Sequence, residues 1–244
     1  MIRRIGAFLI VSFLALTPFA AAEAGTLDQA AVEQIVHDYL LSHPDVLLQA
    51  LQAAEDKANK DAEEKGHAAL TKRYEELVAD ARDPSIGNPK GDVTVIEFFD
   101  YRCPYCKQVA PALLTLVTDD KQLRIVFKEF PILGADSKFA ARAALGALKQ
   151  GRYQDFHMAL MKTKGQLNEE AILGVAQSVG LDIARLKTDM NAPEAEAVLK
   201  HNFELGDALN IKGTPAFIVG GEVIPGAVDI DTLKKKIAAA RKRG

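Results

Sequence analysis

The stretch FFDYRCPYCKQ, residues 98–108, contains both cysteines of a 244-residue chain. Its first four residues end the run VTVIEFFDY, residues 93–101, whose near-continuous apolar character predicts a strand buried on both faces. It leads into KQVAPALLTLV, whose apolar residues recur at helical spacing. A strand, a Cys-x-x-Cys motif and a helix therefore follow one another directly. This order predicts an α/β domain in which the cysteine pair lies at the start of a helix.

The expected position of Cys103, at the N-cap of that helix, favours its ionised form. Pro104 would take the first helical position, where a missing N–H has no cost. The sulfur of Cys103 would face unpaired backbone N–H groups and the positive end of the helix dipole. Because the thiolate is the nucleophilic form, we expect Cys103 to attack and Cys106 to resolve. Their disulfide closes a small ring, so it suits exchange better than structural stabilisation.

A metal site is the main alternative use of the two cysteines. Zinc normally takes four ligands, so two histidines would have to complete the set. His37 and His43 are six residues apart, a rotation of about 600° on one helix, which places them on different faces. We therefore expect no resident metal and no cofactor. A Cu(I) ion held by the two thiolates remains an alternative.

The N-terminus has the layout of a secretory signal peptide. It begins with the basic MIRR and continues as IGAFLIVSFLALTPFAAAEAG, an apolar stretch that ends in small residues. This predicts a signal peptide over residues 1–22, with cleavage after residue 24 as the alternative. A retained anchor is disfavoured because the apolar run before Pro18 is shorter than the roughly 20 residues that span a bilayer. The mature chain is expected to be exported and soluble.

Residues 23–82 are predicted to form an N-terminal helical arm. The segment is rich in Ala, Leu, Glu, Lys and Gln, which are strong helix formers. Its apolar residues recur at three and four positions over three stretches, which are separated near Pro44 and at Gly66. The apolar stripe is too thin for an independent core. The arm is expected to join subunits into a homo-oligomer, with a solvated appendage as the alternative, and the chain without it is expected to fold as a monomer.

The remaining sequence is expected to form one domain over residues 92–244, after a linker at residues 83–91 that is rich in proline and glycine. QLRIVFKEF reads as its second strand. A helical insertion is predicted at about residues 136–208, then a strand pair around Gly220–Gly221 and a final helix. The net charge is 30 − 33 = −3. This balance gives no indication of nucleic-acid binding.

These features together resemble the DsbA family of thiol:disulfide oxidoreductases. The resemblance covers residues 92–244 and rests on FFDYRCPYC after a strand, the helical insertion, and Gly-Thr-Pro before a short strand. It implies a thioredoxin fold interrupted by a helical domain. With the arm, the mature chain is similar to the ScsC-like (suppressor of copper sensitivity) branch, which includes oligomeric disulfide isomerases. It implies a periplasmic protein that acts on exported cysteine-containing proteins and exchanges electrons with a membrane redox partner.

The resemblance also assigns roles around the cysteines. It makes Cys103 the nucleophile and Cys106 the resolving thiol. It places the Thr214–Pro215 loop opposite them, with Pro215 in cis and the backbone of Thr214 free to pair with an extended substrate.

Two charged residues complete the expected site. Glu97, six residues before Cys103, matches the buried acid of the family. It would accept the proton that leaves the resolving thiol. Lys128, in the adjacent predicted strand, is a candidate partner of Glu97, with a position facing solvent as the alternative.

Tyr105 bears on the direction of exchange. The strongest oxidases of the family have His between the cysteines, and a protonated His would add to thiolate stabilisation. Tyr105 carries no such charge, so the disulfide is expected to be a milder oxidant, at about −230 to −180 mV. This favours isomerase or reductase activity. A DsbA-type oxidase is the first alternative, and a copper-binding or copper-tolerance module is the second.

Overall fold

The computed structural model describes residues 28–243, and the predicted signal peptide lies outside them. The chain divides into two compact units, with the division between Ala54 and Glu55. Within residues 28–243, no helix combines the length and the apolar character needed to cross a membrane.

The N-terminal unit consists of α1, Gln29–Ser42, and the first turns of α2, Pro44–Val78. Helix α1 ends where the hydroxyl of Ser42 donates to the carbonyl of Asp38 at 2.7 Å. Proline then begins α2, where no backbone N–H is required. No residue of α1 is buried. The exposed large apolar side chains of this unit are Val32, Ile35, Val36, Tyr39, Leu41, Leu47, Leu48 and Leu51.

Helix α2 differs from the expected pair of shorter helices because it continues through Gly66. Gly66 is buried, and a Cβ atom there would lie 3.0 Å from the carbonyl oxygen of Leu209. The glycine therefore permits a close approach of two backbones rather than a break. Leu70 and Leu77, further along α2, are buried in the core of the larger unit. The structure thus corrects the arm boundary at residue 82, because residues 55–78 are part of the larger unit.

The larger unit, residues 55–244, is built on a five-stranded sheet with the order β1-β3-β2-β4-β5. The strands are β1 Ser85–Gly87, β2 Val93–Phe99, β3 Leu123–Glu129, β4 Ala216–Val219 and β5 Glu222–Pro225. Strands β2 and β3 are parallel, and the other pairs are antiparallel. Gly220 and Gly221 have φ angles of 56° and 80°. These positive values suit the two-residue hairpin turn between β4 and β5.

Strand β1 lies within the segment that the sequence predicted as a linker. Its central residue, Ile86, is buried and pairs with Ile125 of β3. Asp83, just before the strand, is also buried. The prolines and glycines at residues 83–91 therefore delimit a short edge strand rather than a flexible connection.

Helices cover both faces of the sheet. On one face, α3, Pro104–Asp119, and α9, Ile230–Arg241, contribute to a core that includes both cysteines. On the other face, the C-terminal half of α2 packs with the sheet. Five helices lie between β3 and β4: α4 Ala135–Lys149, α5 Tyr153–Lys162, α6 Glu169–Ser178, α7 Ile183–Asp189 and α8 Pro193–Ala208. The architecture is the expected thioredoxin fold with a helical insertion.

Candidate active site

The dithiol lies at the N-terminus of α3. Cys103 is the N-cap residue, with an extended conformation of φ −70° and ψ 118°, and Pro104 takes the first turn. The backbone N–H of Cys103 donates to the carbonyl of Asp100 at 3.0 Å, and the N–H of Lys107 donates to the carbonyl of Cys103 at 3.1 Å. These bonds hold the sulfur at the positive end of the helix. Both thiols are free, and Cys106 is completely buried.

The loop before β4 faces Cys103. The Thr214–Pro215 peptide bond is cis. The sulfur of Cys103 lies 3.2 Å from the carbonyl oxygen of Thr214. Only 4% of Cys103 is exposed. An apolar cavity of about 550 Å³ borders Thr214 and Pro215 and extends to Gly66 and Leu70 of α2.

Glu97 lies on the same face of the sheet as the cysteines. It is 1% exposed, and within the described residues neither carboxylate oxygen has a hydrogen-bond partner. Burial, with a smaller effect of nearby Cys103, raises the pKa of Glu97 well above its ordinary value. Burial and then Glu97 raise the pKa of the Cys106 thiol. Glu97 is therefore close enough to the thiols to affect ionisation there: it raises the pKa of Cys106, and its own pKa is raised in part by Cys103.

The expected pairing of Lys128 with Glu97 is wrong. In the parallel register, Glu97 is opposite Phe127 and Lys128 is opposite Phe98. Residues that are opposite each other on paired strands have side chains on the same face of the sheet, and consecutive residues of one strand alternate between the two faces. Lys128 therefore lies on the opposite face from Glu97. Its ammonium donates to the carboxylate of Asp83 and, at 3.2 Å, to the carbonyl of Glu76. Lys128 is therefore a buried structural residue away from the thiols.

Tyr105 is on the surface of the motif, with 59% of the residue exposed. Ile132 and Leu133, in the loop before the helical insertion, are also exposed apolar residues. Neither was singled out in the sequence. Exposed apolar side chains scattered on a surface are common, so the sequence holds no signal that sets these two apart.

Asp100 is a supporting residue that the sequence analysis missed. Its carboxylate accepts from the N–H of Arg102 at 2.7 Å, the hydroxyl of Ser137 at 2.8 Å and the N–H of Leu133 at 2.9 Å. It thereby fixes the turn before Cys103 to the start of the helical insertion. An aspartate directly after a strand is a known turn residue, and that signal was present in FFDYRC.

A second buried polar cluster was also missed. The hydroxyls of Tyr101 and Tyr153 both donate to Glu129, each at 3.1 Å. The Nδ1 atom of His157 lies 3.0 Å from the hydroxyl of Tyr101. Burial lowers the pKa of His157 to about 3, so the ring is neutral at ordinary pH. The cluster ties the motif to β3 and α5, but its members are too far apart in sequence for spacing to reveal them.

The structure gives no multi-ligand metal centre in residues 28–243, where no three His, Cys, Asp or Glu side chains are grouped to hold an ion. The two histidines considered for zinc have separate neighbours. His37 contacts Asp38 at 3.2 Å, and His43 stacks on Tyr39 with ring centroids 4.3 Å apart.

The fold and the site define a thioredoxin-like protein with a dithiol opposite a cis-proline loop. The model of the DSBA-like thioredoxin domain matches residues 94–238, more than half of the chain. The chain belongs to this family. Residues 28–60 match the copper resistance protein ScsC N-terminal domain. These matches confirm the resemblance to the DsbA family and to its ScsC-like branch.

Two solved structures are similar over most of their length. A thioredoxin-like oxidoreductase from Silicibacter pomeroyi DSS-3 is 46% identical with a TM-score of 0.68, covering 69% of this chain and 97% of that one. Proteus mirabilis ScsC in a transitional conformation is 29% identical with a TM-score of 0.68, covering 88% of this chain and 98% of that one.

Among curated proteins, Na(+)/H(+) antiporter NhaA 1 of Salinispora arenicola is 30% identical over 161 residues. The similar region is 65% of this chain and 25% of that protein. The chain therefore spans about a quarter of the length of this relative.

Proposed function

We propose that the protein is a thiol:disulfide oxidoreductase that exchanges disulfides in exported proteins through Cys103 and Cys106. The observation that carries this proposal is the position of the Cys103 sulfur, at a helix N-cap and 3.2 Å from the carbonyl of Thr214 in the cis-proline loop. A thiolate held there is a nucleophile. The neighbouring loop offers backbone groups to an extended client.

The exchange begins when the Cys103 thiolate attacks one sulfur of a client disulfide. A bond forms between Cys103 and that sulfur, the client S–S bond breaks, and the second client sulfur leaves as a thiolate that takes a proton from water. Cys106 then attacks Cys103, its proton passes to the ionised carboxylate of Glu97, and the bond between Cys103 and the client sulfur breaks. The client sulfur leaves as a thiolate that takes a proton from water, and Glu97 later returns its proton to the solvent. The client disulfide is thereby reduced as the Cys103–Cys106 disulfide forms.

Isomerisation uses the same mixed disulfide but resolves it differently. Another thiol of the client attacks the client sulfur and displaces the Cys103 thiolate, so the enzyme dithiol is unchanged. We favour this direction because Tyr105 carries no charge that would stabilise the reduced form strongly.

We further propose that the N-terminal unit joins copies of the chain into a homo-oligomer, with a trimer as the expected state. Its exposed apolar side chains, such as Ile35, Leu41 and Leu48, support this proposal. Burial of that area between subunits contributes about 25 cal/mol per Å². Several Cys103 sites around one space would raise the effective thiolate concentration for a client with more than one wrong disulfide.

The proposed location is the periplasm, where a membrane redox partner would maintain the dithiol. The signal-peptide pattern supports this location, as does the similarity to a periplasmic thioredoxin-like protein from Salmonella enterica serovar Typhimurium. The matched copper resistance domain keeps Cu(I) binding by the two thiolates as a second candidate. Metal content of the reduced protein, purified in the presence of copper, tests that candidate directly.

Refolding of scrambled ribonuclease tests the main proposal. The reduced protein should restore ribonuclease activity, and Cys103→Ser should abolish it. Cys106→Ser should accumulate mixed disulfides, because attack remains and internal resolution is lost. A protein that oxidises reduced ribonuclease but does not rescue the scrambled form would support the oxidase alternative. Trapping by Cys103→Ser instead of Cys106→Ser would reverse the two roles.

A further inference from the structure

A second cavity lies beside the dithiol, on the side of the helical insertion. Its volume is about 330 Å³, and it is lined by Arg102, Lys107, Asp136, Gly165, Gln166 and Leu167. It shares no lining residue with the apolar cavity that borders Thr214 and Pro215. The two cavities differ in character: the surface of the larger one is mainly apolar, whereas two cations and one carboxylate line the smaller one.

Lys107 is a cation that lacks an acidic partner within the part of the chain that the structure describes. Its side chain is half-buried and donates to the carbonyl of Thr163 at 2.6 Å. Burial lowers the pKa of Lys107. An ammonium group has three donors, so one carbonyl leaves it capacity for an anion. A partly buried charge is stabilised when an opposite charge meets it.

Arg102 supplies the second cation of the cavity. Its Nη1 atom donates to the carbonyl of Leu133 at 2.8 Å and lies 4.0 Å from the carboxylate of Asp136. That ion pair is at the limit of contact, and both side chains are about two-fifths exposed. A guanidinium has five N–H donors. The cavity thus retains a net positive charge of one, from two cations and one carboxylate.

The position of both cations relative to Cys103 limits what can bind there. Arg102 directly precedes Cys103, and the N–H of Lys107 bonds to the carbonyl of Cys103. The cations of the cavity are therefore the residue directly before Cys103 and a residue one helical turn after it.

We propose that this cavity is a subsite for a carboxylate on the disulfide partner of Cys103. The ligand class is a disulfide with a carboxylate a few bonds from the reacting sulfur. That carboxylate belongs either to an acidic residue beside a client cysteine or to a small peptide disulfide such as glutathione disulfide. The proposal rests on the exchange function above. The reaction with this ligand follows the same stoichiometry as the exchange with a client: one disulfide and the enzyme dithiol give two thiols and the enzyme disulfide.

Three small disulfides of matched length test the subsite: 3,3′-dithiodipropionate, 2-hydroxyethyl disulfide and cystamine, which are anionic, neutral and cationic at pH 7. The measurement is the second-order rate constant for oxidation of the reduced full-length protein, followed by quenching and thiol alkylation. The anionic disulfide should react faster than the neutral one, and the cationic one slower. The ratio of the anionic to the neutral rate constant removes general changes in thiol reactivity.

Substitution of Lys107 isolates the contribution of the cavity. The ratio should fall about tenfold in Lys107→Gln, as for loss of a hydrogen bond between charged groups, and return in Lys107→Arg. Lys138→Gln is the matched control, because Lys138 is an exposed lysine in the first turn of α4 that does not line the cavity. An equal ratio in the wild type and Lys107→Gln, or an equal fall in Lys138→Gln, overturns the subsite.

Two further comparisons of disulfide substrates identify the source of the carboxylate. One compares glutathione disulfide with its dimethyl ester, and the other compares cystine peptides flanked by Glu or by Gln. A Lys107-dependent preference for the anionic disulfide in either comparison supports the subsite, and the comparison with the larger preference identifies the source. A wild-type protein that reacts with the neutral disulfide but shows no charge preference rejects the subsite alone. A protein inert toward every disulfide rejects the exchange function as well.

Discussion

Glu97 and Lys128 lie on adjacent strands of one sheet, and their register partners differ by one residue, but they point to opposite faces. On the face that carries the thiols, the carboxylate of Glu97 has no hydrogen bond within the described residues. On the face that α2 covers, the ammonium of Lys128 is paired with Asp83. A buried ion with a partner holds elements together, whereas a buried acid beside a thiol is available for proton transfer.

The largest effect should appear when helix α2, which covers the Lys128 face of the sheet, is removed. Deletion through residue 82 removes Leu70 and Leu77, which are buried on the Lys128 face, and should leave an unfolded or aggregated chain. Deletion through Ala54 keeps both residues and should give a folded monomer that still reacts with small disulfides but loses isomerase activity. Circular dichroism, light scattering and the scrambled-ribonuclease assay on both truncated proteins test this. A folded protein from the longer deletion would contradict the assigned role of α2.

This expectation also shows what the sequence could and could not predict. FFDYRCPYC, the insertion and Gly-Thr-Pro predicted the fold and the dithiol because those signals are local. The C-terminal end of the arm was not predictable from the sequence. Apolar residues recur at the same helical spacing whether the apolar face of a helix packs on a sheet or on another subunit. The partner of Lys128 required the register of β2 and β3, which depends on pairing between distant segments.

Breaking the ion pair on the α2 face should have the next largest effect. Asp83→Ala leaves the ammonium of Lys128 buried without a carboxylate and should lower the free energy of unfolding by about 3–5 kcal/mol. Denaturant unfolding measures the change. The double variant Asp83→Leu/Lys128→Met is the control, because an apolar pair of similar size should recover most of the loss. If the single variant were as stable as the wild type, the pair would not be structural.

Glu97→Gln should change the pH dependence of stability. The pKa of Glu97 is raised in the folded protein, so the folded state holds its proton more tightly than the unfolded chain. Wild-type stability should therefore fall, relative to Glu97→Gln, as pH rises above the unfolded carboxyl pKa, by up to about 1.4 kcal/mol per pH unit. The loss should end above the raised pKa.

The same variant should slow the resolving step, because Cys106 loses its proton acceptor. Mixed disulfides with a model client should persist about 100-fold longer, a typical contribution of a general base. Quenched-flow electrophoresis measures the lifetime of these mixed disulfides.

Denaturant unfolding from pH 4 to pH 8 measures the predicted pH dependence of stability. Parallel stability–pH profiles for the wild type and Glu97→Gln would show that Glu97 is not the titrating group.

The smallest effect is expected at Gly66, where α2 approaches Leu209. Alanine is more favourable than glycine in a helix by about 1 kcal/mol, so an unhindered Gly66→Ala would stabilise the protein. The added Cβ would lie 3.0 Å from the backbone carbonyl of Leu209, which cannot rotate away as a side chain can. The clash should cancel the gain and leave a net loss of about 1 kcal/mol. Ala68→Gly, two residues along on the exposed side of α2, measures the propensity term alone. A Gly66→Ala gain equal in size to the Ala68→Gly loss would show that α2 does not press against this backbone.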